Sequence, residues 1–427
     1  MATTTIAQEI SRLTSAKADI KTAIEGKGVV VPSTTKLDGY ADLIDQIEQG
    51  GAEEAPENDV NFYDYDGFRV ASYTIDEAKA LTALPTPPSH EGLTFQEWNW
   101  SLADIQTYDR QYADIGANYI TTDGKTRMKV RMVDTYALIS FIILRTGTIV
   151  IDWGDGSEST VSKDSGTGTG YASANHTYQT TGEYILKFAF TPNDENSAYG
   201  FRDRQNSLYW SNGLIIQEVN CGNYFNLTLQ QRGLGNIPND AKISFATSTE
   251  LDVQYVFYAS RIACLCVPRG TTYSSNIFAS CVTPIIAFPR YTADYSELAL
   301  NSISLRRVVF PECEDTSILL LYNSLYSMAW AKVFSIPISA QFVTRSQGDF
   351  FSSSTNMEAM DIAQGWVPTQ NTRFNYSSRW DAEGMVNFFT KLGTTSTAIT
   401  LTFGSGNLNK LTEEQKAIAT NKGYTLA

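Results

Sequence analysis

Cys264-Leu265-Cys266-Val267-Pro268, Ile285-Ile286-Ala287-Phe288-Pro289, Arg307-Val308-Val309-Phe310-Pro311 and Val333-Phe334-Ser335-Ile336-Pro337 are four short, mostly apolar runs, each closed by proline. Their prolines stand 21, 22 and 26 residues apart. Runs of this length are too short for stable helices and suit buried strands. Proline at the end of a strand stops a hydrogen-bonded ladder without breaking it. A unit of one short strand and a turn cannot bury its apolar face alone, so units with this period stack on their neighbours. Further strands are expected at Ile215–Val219, Glu358–Ile362 and Ala398–Phe403. Thr412-x-x-Gln415 reads as a capping signal for a terminal helix over Leu411–Ala427 that closes the stack. Residues 196–427 are therefore expected to form a stacked-repeat β-solenoid.

Upstream, 124–195 reads as a β-sandwich, with strands at Lys129–Val133, Leu138–Leu144, Thr148–Trp153 and Glu183–Phe190 and a flexible loop at Gly166–Gly170. Asp152-Trp153-Gly154-Asp155-Gly156 supplies a tight turn, and aromatic residues on either side suit packing across two sheets. Residues 61–123 alternate turn signals with aromatic segments such as Phe62-Tyr63-Asp64-Tyr65-Asp66-Gly67 and Trp98-Asn99-Trp100, as in a small β module. The acidic 50–60 stretch, opened by Gly50-Gly51, cannot bury a core and reads as a linker.

Residues 1–49 read as helical. Ile6, Ile10, Leu13, Ile20 and Ile24 fall on alternating heptad a and d sites, with Lys17 at the vacant one. This stripe is expected to drive oligomerisation, and Ile at both a and d disfavours a dimer. The alternative is a helical hairpin buried against its own chain, its second helix carrying Leu37, Tyr40, Leu43, Ile44 and Ile47.

The 427 residues include 12% aromatic and only 18% charged side chains, which favours a mainly β, multidomain chain over a helical one. A formal net charge of −14 without a basic patch argues against nucleic-acid binding. The five cysteines are odd in number and sit among apolar neighbours, as reduced core thiols do. Met1 to Ile10 carries no basic region followed by a long apolar run, so neither a secretory signal nor a membrane anchor is expected.

Catalytic signatures are sparse. The chain has two histidines, His90 and His176, neither in a metal-type spacing. Cys264-x-Cys266 is too close for a zinc pair and matches one face of a strand. Asp152 and Asp155 have calcium-type oxygens, yet an Asp-Gly turn uses such residues without an ion. No metal site and no cofactor are expected. Trp210, Trp366 and Trp380 are candidates for stacking on sugar rings or for plain core positions.

Ile277-Phe278-Ala279-Ser280-Cys281 leading into Ile285–Pro289 resembles the BspA-type leucine-rich repeat. Thr400 to Phe403 followed by Leu411 to Leu426 resembles the segment closing such arrays. Asp152–Gly156 with His176-Thr177-Tyr178 is similar to the PKD-type sandwich, a spacer or interaction module. Ile20-x-x-Ala23-Ile24-x-Gly26-Lys27-Gly28-Val29 and the following Leu37-to-Ile47 pattern look like the opening of tail-associated virion proteins of bacteriophages. The Tyr65-Asp66-Gly67 to Trp98-Asn99-Trp100 block is similar to one in the same proteins.

Together these resemblances imply a non-enzymatic virion protein, a tail fibre, tail tip or similar. Its N-terminus would oligomerise, as a trimer, or dock to other virion proteins, and its leucine-rich-repeat solenoid would meet a host cell-surface glycan or protein. It would assemble in the host cytoplasm, act outside the cell and insert in no membrane. A bacterial surface adhesin and a polysaccharide depolymerase working through paired carboxylates are the competing readings.

Overall fold

The computed structural model describes residues 6–25, 31, 32, 34–36, 40, 57–202, 213–226, 234, 237, 240–247, 257, 260–270, 281–292, 305–313, 318–321, 331–337, 340–343, 351 and 354–427. The chain is mainly β and divides into two compact units, 1–55 and 56–427. Among the described residues, no helix is long and apolar enough to cross a membrane.

The first unit is built on α1 (Ile6–Glu25). Lys17 and Lys21 donate to the carbonyls of Thr35 and Val31, tying the 31–36 segment to the helix. Tyr40 is buried and lies 5.6 Å from the Lys17 ammonium. Ile10, Leu13 and Ile20 of the heptad stripe remain 59%, 50% and 39% exposed. The side chains of Ile6 and Ile24 lie outside the described residues, as do Leu37, Leu43, Ile44 and Ile47 of the expected second helix.

The second unit opens with a four-stranded sheet of β1 (Val60–Tyr63), β2 (Arg69–Tyr73), β3 (Leu93–Trp98) and β4 (Ala113–Thr121), in the order β2-β1-β4-β3. Two one-turn helices, α2 (Ile75–Lys79) and α3 (Leu102–Gln106), start at Thr74 and Ser101, whose side chains close capping boxes with Glu77 and Asp104. Phe62, Trp98, Trp100 and Tyr119 fill the core of this module.

Two sheets follow. β5 (Thr126–Met132), β7 (Gly147–Asp152), β8 (Glu158–Lys163), β10 (Gly182–Pro192), β12 (Leu214–Asn220) and β13 (Lys242–Ser244) form one, ordered β13-β12-β5-β10-β7-β8. β6 (Tyr136–Leu144), β9 (Thr169–Thr177) and β11 (Ala198–Phe201) form the other. The sheets pack through their apolar faces, where Phe141 of β6 meets Phe188 of β10 edge to face, ring centroids 5.6 Å apart. The segment read as a Gly166–Gly170 loop runs into β9, which starts at Thr169.

The proline-ended runs form parallel rungs. β14 (Leu265–Cys266) pairs with β15 (Ile286–Ala287), and β17 (Arg307–Val309) pairs with β20 (Val333–Ile336), which pairs with β22 (Ala359–Ile362). β16 (Tyr291–Thr292) with β18 (Glu312–Cys313), and β19 (Ile318–Leu321) with β21 (Ala340–Val343), make further parallel pairs. Side chains alternate along each rung. Leu265, Ile286, Val308, Phe334 and Met360 enter one continuous core, and Cys266, Ala287, Arg307, Ser335 and Asp361 take the opposite face.

The chain closes with β23 (Thr372–Arg373), α4 (Ala382–Lys391), β24 (Ile399–Thr402), α5 (Glu413–Thr420) and β25 (Tyr424–Leu426). The helix expected over 411–427 is thus shorter. It ends where Gly423 takes a φ of 94°, and the last residues pair with β24 as a further rung.

The divisions read at 123/124 and 195/196 fall inside this unit, and two features account for that. β12 is antiparallel to β5 and parallel to β13, so the larger sheet passes into the rungs through one shared strand. The aromatic module also lies across the rungs, as described next.

Candidate binding cleft

β4 and the residues leading into it cross the polar face of the rungs, climbing in number as the rungs descend. Gln111 N donates to Asp361 Oδ2 at 2.8 Å, Asp114 pairs with Arg307, and Asn118 Nδ2 donates to the Cys266 carbonyl at 2.9 Å. Tyr119 N and Thr121 N then reach the carbonyls of Phe245 and Cys221. Beside β4, Asn99 Nδ2 donates to the carbonyls of Val267 and Ala287, and Trp100 Nε1 to that of Phe288. The Ala287 carbonyl already accepts Val267 N within the ladder, so Asn99 takes its second lone pair. Arg110 reaches the Phe310 carbonyl and Ser335 Oγ. The rung face from Cys264 to Asp361 is thus filled by the chain's own 60–121 module.

The approach is closest at Gly116. A Cβ there would stand 2.6 Å from Cys266 Cβ, so only glycine fits. Cys264 and Cys266 lie on one strand face with Sγ atoms 3.6 Å apart, packed against Tyr63. Burial pushes the Cys264 thiol well above the ordinary cysteine value, so it is a packed neutral group.

Where the module ends, a cavity of about 820 Å³ opens between it and the rungs. Glu57, Asn58, Asp59 and Tyr112 make one wall, and Arg261, Val282, Arg306, Arg307, Lys332, Val333 and Glu358 make the other. The second wall follows from the parallel pairing of successive strands. Arg306, Lys332 and Glu358 each stand one residue before a rung, and Lys332 N and Glu358 N donate to the carbonyls of Arg306 and Lys332, both at 2.8 Å. One charged side chain per rung therefore reaches the same edge.

The floor is rigid. Arg307 donates to the Asn58 carbonyl at 2.7 Å and lies 5.3 Å from the Tyr112 ring centroid. Burial works against its charge, but Asp114 outweighs it and raises the Arg307 pKa. Asp59 accepts from Ile75 N and Gln111 Nε2. Burial, then the Asp59 and Asp361 charges, raises the Tyr112 hydroxyl pKa and keeps that group a donor. At the rim, Lys332 pairs with Glu358 at 3.0 Å and Arg261 with Asp240 at 3.2 Å, Glu358 being partly and the other three well exposed. The exposed Arg306 side chain has no ionic or hydrogen-bonding partner among the described residues.

A smaller acidic cavity of about 200 Å³ adjoins Tyr112 and includes Asp361, Asp381 and Glu383. Two of these carboxylates serve the fold. Asp361 accepts from Lys391, Ser335 and Gln111, and Asp381 caps α4.

The residues singled out in the sequence lie elsewhere. His176 Nε2 meets Asp155 Oδ2 at 2.7 Å and its ring stacks on Trp153. Asp152 and Asp155 accept the amides of Gly154 and Ser157, so the turn itself uses them. Burial pushes Asp155 up, but hydrogen bonds from Ser157 and His176 prevail and hold it at about 2. Among the described residues no cluster of three His, Cys, Asp or Glu side chains could hold a metal ion. Trp366 and Trp380 are buried core residues, and Trp210 lies outside the described residues. Taken singly, the cleft residues carry no signal in the sequence, because charges flanking a strand look like ordinary solvated positions. The signal was their recurrence one residue ahead of successive rungs. No family model matches the chain, and no curated protein or solved structure matches it either.

Proposed function

We propose that the chain is a structural and binding protein of a bacteriophage virion, a tail fibre, tail tip or similar part, rather than an enzyme. Its N-terminal unit joins copies or docks on other virion proteins, and its β body meets the host surface. In this reading the parallel rungs are BspA-type leucine-rich repeats in a solenoid, and the paired sheets before them are PKD-like. The observation that carries it is the apolar stripe at Ile10, Leu13 and Ile20, left exposed on a helix within a unit separate from the β body. Exposed apolar residues at heptad spacing lose that exposure when helices associate. Several weakly binding bodies held on one particle then bind strongly, because later attachments are effectively intramolecular. With the rung face filled by the module, recognition falls to the rims, where the cleft of about 820 Å³ is a candidate.

The test combines mass and location. Light scattering of the full 47.2 kDa chain is expected to give a trimer, and Leu13→Lys with Ile20→Lys is expected to give monomers. Antibody against the chain should label purified particles of the phage that encodes it. A monomer for both chains rules out the stripe as a joint, and unlabelled particles rule out the virion reading.

A further inference from the structure

We propose that the cleft between the module and the rungs is a binding site for a carboxylated sugar, such as a uronic acid residue of a cell-surface glycan. Its volume, about 820 Å³, lies within the range of small-molecule sites, about 300–1,000 Å³. Val282, Val333 and Tyr112 are partly exposed and offer an apolar floor for the C–H face of a pyranose ring. Arg306 stands on the wall with a guanidinium that has no ionic or hydrogen-bonding partner among the described residues, the donor geometry that grips a carboxylate in two parallel hydrogen bonds. Lys332 and Arg261 flank it, each in an ion pair near the surface that exchanges readily.

The acids decide which anion fits. Glu57, Asp59 and Glu358 line the same cleft and repel a doubly charged phosphate more than a singly charged group, whereas sugar hydroxyls donate to such carboxylates. A singly charged ligand rich in hydroxyls satisfies both sets of groups. Arg307 takes no part as an anion binder, since Asp114 already neutralises it. The site is prebuilt, because Asn58, Asp59 and Tyr112 are fixed by hydrogen bonds or ring packing that need no ligand.

The choice of a glycan over a free small acid rests on the reading of the chain as a cell-surface binder. Calorimetric titration of the full chain would use a glucuronate-containing disaccharide, the corresponding glucose disaccharide and citrate. The acidic disaccharide is expected to bind, the neutral one at least about tenfold more weakly, and Arg306→Ala to lose about tenfold in affinity, as for one charged hydrogen-bonded pair. Lys129→Ala, on the larger sheet outside the cleft, should bind like the parent. Arg306 is exposed, so an unchanged unfolding midpoint will show that its variant folds. Equal binding of both disaccharides, no binding, or an unaffected Arg306→Ala overturns the proposal, and citrate binding as tightly as the disaccharide overturns the glycan assignment. Host-cell attachment that survives Arg306→Ala removes the site and leaves the virion reading standing. Unlabelled particles combined with Arg306-dependent sugar binding do the reverse.

Discussion

Asp114 and Arg307, 193 positions apart in sequence, meet as a buried ion pair whose side chains are 6% and 7% exposed. Arg307 also donates to the carbonyls of Asn58 and Ala113, so four hydrogen bonds, two of them to Asp114, tie these residues to a rung. Removing the acid alone leaves a charge without its partner in a dry interface. Asp114→Ala is expected to lower stability by about 3–5 kcal/mol. Asp114→Ala combined with Arg307→Met should recover part of that loss, since the pair's own net contribution is small. Urea unfolding of the parent, single and double variants measures the coupling, and additive losses would show that the charges do not sense each other.

Gly116 tests the docking by shape rather than charge. A methyl group there meets Cys266 Cβ at 2.6 Å and its Cα at 2.9 Å, so backbone must move. Gly116→Ala is expected to cost about 1–3 kcal/mol, the usual range for overpacking. A thermal unfolding midpoint equal to that of the parent would mean that β4 does not lie on the rung as described.

Cys221, Cys264, Cys266 and Cys281 are buried, and burial pushes the Cys264 and Cys281 thiols upward, away from the reactive thiolate. The folded chain should therefore leave these four unmodified by an aromatic disulfide reagent over minutes, and modify them on addition of urea. Rapid reaction at Cys264 or Cys266 in the folded chain would show that the module lifts from the rungs.

Much of the architecture was legible because its signals are local. A four-residue apolar run with a terminal proline marks β14, β15, β17 and β20 without reference to the rest of the chain. β8 and β9 carry little signal because Glu158–Lys163 and Thr169–Thr177 alternate small polar residues with few apolar ones, as half-exposed strands do. The apolar pattern of Ile215–Val219 marks a strand but not its partner, since either β5 or the next rung satisfies an apolar strand. The docking of the module depends on Asn99, Trp100 and Asn118 finding carbonyls more than 140 residues away, which no local pattern encodes. The cleft exists only because that docking stops short of the rung edge.

His90 supplies a pH dependence with a definite sign. Its Nε2 lies 2.6 Å from Asp64 Oδ2, and the ring packs edge-on against Tyr65 and Tyr119. The hydrogen bond to Asp64 raises its pKa above the ordinary 6.5, burial opposes, and the Asp64, Asp66 and Glu218 charges add to the rise. A raised folded value means that the folded state binds the proton more tightly than the unfolded chain does. The stabilisation is therefore complete below 6.5 and fades as pH rises through the folded value. Urea midpoints of the parent and His90→Gln at pH 5.5, 7 and 9 isolate this contribution. The difference between the two proteins should be largest at pH 5.5 and shrink by pH 9. A difference that grows with pH would mean that His90 is held neutral, with Asp64 accepting from a ring N–H that never gains its second proton.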